Sequence, residues 1–410
     1  VAGDQKVDLG TSPATVTSVT STNSAGVTVT LNAASTGTFG SGADVVTVGA
    51  GATKAVNLGG GNDTAIVSTL ATSGSVAGGD GIDTLQISGS NAATASATTA
   101  FAATVTGFEK LVIDGSGTGV DPSKLGGYHD ITIMGTSPSV TLVNMTSGDK
   151  LTLTTASSAV TTGQADGAVG TADVLNLAVT STAGVAFGSV TATGVETVNL
   201  TTANTAATAA TAVPIADSLT IFGNDAKTIT VAGNAKLALT AASTALTSLD
   251  ASAMSVSGLG AGTATTGLTW SSGALTTAAV IKGSATGGDV IDASLSTKAV
   301  TITEYAGANN IKGSSTIAST LTGGTGADTI TGGAGADTIV GGGGADVITG
   351  GAGADSITLS GTGTIVQAAA GNSGANTSTS VQPTELTATF DIVRGAAAGA
   401  KIDLTAFAAG

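Results

Sequence analysis

Cysteine is absent from the 410 residues and histidine occurs once, at His129. Disulfides, zinc-type centres built on thiolate and imidazole, and any Cys-His nucleophilic pair are thereby excluded. With one histidine there is no H-E-x-x-H motif, and no G-x-S-x-G elbow occurs either, which disfavours an enzyme. Paired-carboxylate glycosidase chemistry stays open, although the aspartates have a better explanation below. Aromatic residues make up 2% and charged residues 10%, too few for an ordinary core of bulky side chains inside a salted surface. Lysine and arginine number 12 against 27 acids, a net charge of −15, so nucleic acid is not an expected partner. No apolar run of 18 residues appears, so no membrane span is expected. The chain starts at Val1 without the basic region and apolar core of a secretory signal, and its start reads as a processing boundary.

What is present is alanine, threonine, glycine and serine, the composition of thin stacked coils. Of the acids only Glu109, Glu196, Glu304 and Glu385 are glutamates. An excess of aspartate points to tight turns and calcium loops rather than to a generic acidic surface.

The chain is organised around residues 323 to 358, which read GGTGADTIT, GGAGADTIV, GGGGADVIT and GGAGADSIT. Glycines fill positions one, two and four: Gly323, Gly324 and Gly326; Gly332, Gly333 and Gly335; Gly341, Gly342 and Gly344; Gly350, Gly351 and Gly353. Glycine there permits positive φ, so six residues can curl tightly with carbonyls turned inward. Asp328, Asp337, Asp346 and Asp355 hold position six, and Ile330, Ile339, Ile348 and Ile357 hold position eight. The last three residues of each repeat read as a very short strand with its isoleucine inward. Two repeats make one coil, and parallel stacking puts Asp328 beside Asp346 and Asp337 beside Asp355 at about 4.8 Å. Like charges that close need a cation between them, and no Lys or Arg lies between Lys312 and Arg394. Carboxylates with several carbonyls suit calcium rather than magnesium or zinc. The segment is therefore expected to be disordered without calcium and to fold on binding it.

Elsewhere the pattern is degenerate. Residues 1 to 38 carry alternating Val and Thr and read as two strands around a turn at 23 to 26, either a first coil or a capping hairpin. In residues 39 to 88, Asp44, Asp63 and Asp83 follow at steps of 19 and 20 and should form a column, with Asp80 adding a nearby oxygen. Residues 89 to 280 lose the glycine loops but keep short strands, a continuing solenoid or a sandwich in which only the Ala-rich stretch 201 to 213 tempts toward helix. Glu109 and Glu196 recur before strands, as strand-entry hydrogen-bond acceptors or as calcium ligands. His129 and Trp270 read as turn and packing residues. From 281 to 358 the calcium pattern returns, Asp289 and Asn309 leading at steps of 20 and 19 into Asp328. Residues 371 to 380 read as a loop, and 359 to 410 as a cap over the last coil that is cut short.

The nonapeptide GGxGxDxUx, with U a large apolar residue, resembles the RTX (repeat-in-toxin) calcium repeat. The resemblance implies an all-β fold, an elongated parallel β-solenoid with calcium-loaded β-roll segments, in a protein exported by type I secretion. Two calcium arrays flanking an Ala/Thr-rich β region further resemble the RTX-type surface-layer (S-layer) proteins of Gram-negative bacteria, of the Caulobacter type. That resemblance is carried from about residue 40 onward by Gly79-Asp80-Gly81-Ile82-Asp83-Thr84-Leu85, by Gly107-Phe108-Glu109 and Gly194-Val195-Glu196, by residues 246 to 253 and by the four nonapeptides. It implies a structural, extracellular protein that assembles with copies of itself, through calcium, into a two-dimensional coat. In that family a separate region, unmatched here, holds the coat to lipopolysaccharide. The alternatives are the calcium-folded module of a secreted protease or lipase, and a segment of a large RTX adhesin.

Overall fold

The computed structural model describes residues 1–49, 54–67, 74–157, 159–165, 172–182, 184–204, 216–223, 225–241, 243–256 and 266–358, together with the backbone of three later strands. The fold is nearly all-β, a parallel β-solenoid. It divides into two compact units, residues 1–178 with 187–194, and residues 179–186 with 195–410.

In the first unit the strands Val7–Thr11, Val27–Thr30, Val45–Val48, Thr64–Val67, Thr84–Ser88, Lys110–Asp114, Asp130–Met134 and Lys150–Leu153 each pair in parallel with the next. A second ladder on the other side of the coils joins Ser18–Thr20, Thr36–Thr38, Ala55–Asn57, Ser75–Ala77 and Val105–Thr106. The alternation of β-branched apolar with polar residues is what makes these strands, because one face is buried and the other wet. Stacking in register then builds the core as files of identical positions. Leu85, Leu111, Ile131 and Leu151 form one file, and Ile87, Ile113, Ile133 and Leu153 the next. None is more than 1% exposed. Each such side chain contributes about 1.5–3 kcal/mol by burial, which is how a chain so poor in aromatics still holds a core.

The N-terminal strands pair in parallel, so residues 1 to 38 are coils and not a hairpin. Of the Ala-rich stretch 201 to 213, only the first four residues are described, and they are strand, the end of Thr197–Asn204; 205–213 lie outside the described residues. The two described helices are Gly89–Ala95, capped by Ser88 Oγ accepting from the Asn91 N–H, and Pro122–Leu125, capped by Asp121 with proline at its first turn. Cap residues and Pro122, rather than alanine content, decide these helices.

In the second unit one ladder runs through Thr197–Asn204, Thr228–Gly233, Ser248–Met254, Ala279–Lys282, Val300–Thr303, Thr320–Thr322, Thr338–Val340 and Ser356–Thr358. The opposite ladder runs through Asp217–Phe222, Leu237–Ala241, Thr266–Ser272, Gly288–Asp292, Asn310–Lys312, Thr329–Ala334 and Val347–Ala352. Trp270 is 1% exposed, paired between Leu239 and Ile291, the packing role expected of it. Ile392–Arg394 adds to Ser356–Thr358, and Lys401–Asp403 to Thr364–Val366, so part of the C-terminal segment extends the ladders. The loop expected at 371 to 380 lies outside the described residues. No helix among the described residues is long and apolar enough to cross a membrane.

Candidate metal centres

The four isoleucines at position eight are 0–1% exposed, so each nonapeptide is pinned to the coil interior four residues after its last turn glycine. That pinning turns the sixth-position aspartates inward as well. The backbone N–H of Asp328 donates to Asp346 Oδ1 at 3.1 Å, and that of Asp337 to Asp355 Oδ1 at 2.8 Å. The two expected columns therefore form, one on each edge of the coils.

In each column Oδ1 serves the backbone of the preceding coil. The other oxygens, Oδ2 of Asp328, Asp337 and Asp346, are buried without a hydrogen-bond donor. A buried acid oxygen left so costs free energy unless something positive meets it. The position-one glycine leaves the space. A Cβ on Gly323 would lie 2.5 Å from Asp328 Oδ2 and 2.5 Å from the carbonyl oxygen of Gly341, one coil further on. A Cβ on Gly332 would strike Asp337 Oδ2 and the Gly350 carbonyl, and Gly341 and Gly350 stand against Oδ2 of Asp346 and Asp355.

This geometry corrects the expected role of position one. Gly324, Gly326, Gly333, Gly335, Gly342, Gly344, Gly351 and Gly353, at positions two and four, have φ between +94° and +152° and are glycine for conformational reasons. Gly323, Gly332, Gly341 and Gly350 are not among the residues with positive φ. They are glycine because an oxygen cradle occupies the place of a side chain.

Burial, reinforced by the neighbouring acid, pushes the Asp328 carboxyl up to about 6 and that of Asp337 up to about 7. The N–H groups they accept from pull the other way and do not prevail. Among the described residues no three Asp, Glu or His side chains converge, so a cation in these cradles takes most of its oxygens from backbone carbonyls. A hard, many-coordinate ion is suited to that donor set.

The same column continues toward the N-terminus. The N–H of Asn309 donates to Asp328 Oδ1 at 2.8 Å, that of Asp289 to Asn309 Oδ1 at 2.8 Å, and that of Leu268 to Asp289 Oδ1 at 2.6 Å. Asn309 is more than a weakened aspartate. Its Nδ2 donates to the carbonyls of Gly307 and Gly323 and to Asp328 Oδ1, at 3.2, 2.9 and 3.0 Å. On the other edge Ser319 takes position six, its N–H donating to Asp337 Oδ1 at 2.6 Å.

In the first unit Asp44, Asp63 and Asp83 form the expected file. Val27 N–H donates to Asp44 Oδ1 at 2.6 Å, Asp44 N–H to Asp63 Oδ1 at 2.8 Å, and Asp63 N–H to Asp83 Oδ1 at 2.8 Å. Glu109 Oε2 then accepts from Asp83 N–H at 2.8 Å, the strand-entry role expected of it, and extends the file by one member. Burial raises the carboxyls of Asp44 and Asp83, and it pushes Asp63, flanked by both, up to about 7. Only around Asp83 is the position-one residue a glycine, Gly78, whose Cβ would lie 2.6 Å from Asp83 Oδ2 and against the Gly107 carbonyl. Buried Phe39 and Leu58 take that place before Asp44 and Asp63. Asp80 has its side chain on the exposed turn, outside the file, though near enough for its charge to raise Asp83. Glu196 is buried, and its carbonyl accepts from the N–H groups of Lys227 and Thr228. His129 lies apart, its exposed ring holding Asp149 Oδ1 through Nδ1 at 2.6 Å.

Two residues of the columns were passed over in the sequence, Ser319 and Glu304. Counting back 18 residues from Asp337 and 19 from Gly323 finds both, but neither has the residue type the repeat leads one to seek.

Residues 321–357 match the RTX calcium-binding nonapeptide repeat, hemolysin type, in four copies. RTX nonapeptide repeats bind calcium, which makes calcium the cofactor of this segment. The cradles fit it: a donorless acid oxygen, an opposed carbonyl and no side chain between. No curated protein is matched by the chain.

Proposed function

We propose that this chain is the lattice-forming part of a calcium-dependent surface layer, a structural protein that packs with copies of itself into a two-dimensional coat outside the cell. The observation that carries the reading is that in both units the glycine-loop coils run on, in register, into coils without such loops. Thr84–Ser88 pairs with Lys110–Asp114 in the first unit, and Ser248–Met254 with Ala279–Lys282 and then Val300–Thr303 in the second. Calcium coils are thus stretches of a scaffold rather than an appendage to a separate domain. RTX repeat proteins are typically secreted, which agrees with the proposed location.

In this reading the cation sets the fold of the acidic coils and bridges subunits that a net charge of −15 otherwise holds apart. The working partner is another copy of the chain, the role is not catalytic, and attachment to lipopolysaccharide belongs to a region outside it. Negative-stain electron microscopy of the purified chain in EDTA and then in millimolar calcium, beside light scattering, tests this. Ordered sheets in calcium alone are expected. Monomers that bind calcium yet never order, at any concentration, would sink the lattice role and favour a calcium-folded module of a secreted enzyme or adhesin.

A further inference from the structure

The ladder of the second unit aligns Lys282, Thr303, Thr322 and Val340, so the residues that follow them, Gly283, Glu304, Gly323 and Gly341, stack at position one. Glu304 is the exception in a file of glycines. Its own repeat, Glu304-Tyr305-Ala306-Gly307-Ala308-Asn309-Asn310-Ile311-Lys312, has also exchanged the aspartate of position six for Asn309. The repeat keeps one carboxylate but moves it from position six to position one.

The move has a definite destination. Glu304 is 2% exposed, and both its carboxylate oxygens are buried without a hydrogen-bond donor. A Cβ on Gly283 would collide with Glu304 Oε2 and lie 2.5 Å from Asp289 Oδ2. The carboxylate therefore fills the cradle of the preceding coil, the place where the perfect repeats present a backbone carbonyl to their own aspartate. Asp289 answers with a fuller set of partners than the other aspartates have: Oδ2 accepts from Ser284 N–H at 2.6 Å, and Ser284 Oγ reaches both oxygens at 2.8 and 3.0 Å. On the far side of Glu304 the Asn309 amide already occupies the Gly307 and Gly323 carbonyls, so that gap is closed by a neutral donor.

We infer that Glu304 and Asp289, with Gly283 keeping the gap open, form an additional calcium site of a different pattern from the nonapeptide cradles, carrying two carboxylates from adjacent coils where each nonapeptide cradle has one. Two acid oxygens facing each other in a dry interior need a positive charge between them, and a divalent ion satisfies both at once. The competing arrangement is a single proton shared by the two carboxyls, which needs no metal.

The test counts ions on the whole chain. Equilibrium dialysis with radioactive calcium is run on wild type, E304Q and D289N, each checked for secondary structure by circular dichroism. Each variant is expected to bind one calcium fewer per chain. Unchanged stoichiometry in a folded E304Q would overturn the site and establish the shared proton. Should E304Q fail to fold, infrared difference spectra of the wild type with and without calcium decide. At about pH 9, where the carboxyls of Asp63, Asp328 and Asp337 are ionised without metal, loss of a protonated-carboxyl carbonyl band on adding calcium supports the site, and persistence of that band at saturating calcium overturns it. Neither result depends on whether the chain forms sheets.

Discussion

Asp337 gives its backbone N–H to Oδ1 of Asp355, 2.8 Å away and one coil on, while its own Oδ2 is buried facing a glycine rather than a donor. One oxygen of such a carboxylate builds the ladder and the other is left for a cation. The two functions can be separated by mutation.

Asp337→Asn keeps an oxygen for the Ser319 N–H and removes the charge. The metal-free protein is expected to be no less stable, because burial and the charge of Asp355 both disfavour the ionised Asp337. Calcium affinity of its cradle is expected to fall by at least about tenfold, the loss of one charged ligand corresponding to roughly 1.4 kcal/mol or more. Calcium titrations followed by circular dichroism, beside urea melts in EDTA, check both signs.

Position one is expected to be intolerant for a reason unrelated to backbone angle. Gly323→Ala places a methyl group 2.5 Å from Asp328 Oδ2 and should weaken calcium binding. Gly343→Ala, in open space and without positive φ, should change stability by no more than about 0.5 kcal/mol. Equal calcium affinities in the two variants would refute the cradle.

The pH dependence follows from the raised carboxyls. Asp63, Asp328 and Asp337 go from 3.8 to about 7, 6 and 7 in the metal-free fold. A folded value above the unfolded one means that the fold binds protons more tightly, so the contribution is fully present below about pH 4 and is lost as pH rises through 6 to 7. The metal-free protein should be more stable at pH 5 than at pH 8. Calcium should bind more weakly at pH 5, where protons compete for the same oxygens. Thermal melts with and without calcium at the two pH values measure this, and a metal-free stability that rises with pH would contradict it.

The core should behave as a ladder of equivalent positions. Ile131→Ala, in the middle of the file from Leu85 to Leu151, is expected to cost about 2–5 kcal/mol in calcium and in EDTA alike, since no acidic column depends on it. Trp270, the single tryptophan and 1% exposed, should report unfolding of the second unit by a red shift of its emission.

Much of this was legible in the sequence because the repeat is a direct image of the coil. A period fixed by two strands and two turns gives the stacking of Asp328 on Asp346 and of Asp44 on Asp63 by subtraction alone. Short helices were not legible, since Ser88 and Asp121 cap them within stretches whose composition matches the surrounding strands. Parallel pairing of the first strands was hidden because alternating Val and Thr suits hairpins and coils equally. Glu304 was missed because its repeat kept the spacing and exchanged the chemistry of positions one and six, so that neither position carried the residue type sought; the register of Thr303 with Thr322 places it in the file.

The most direct measurement is hydrogen–deuterium exchange by mass spectrometry on the whole chain, in EDTA and in saturating calcium. If the cation holds the acidic columns together, peptides from residues 323–358 should exchange rapidly in EDTA and become protected in calcium, while peptides from 110–153 stay protected in both. Equal protection of 323–358 in the two conditions would contradict the claim that calcium completes these coils.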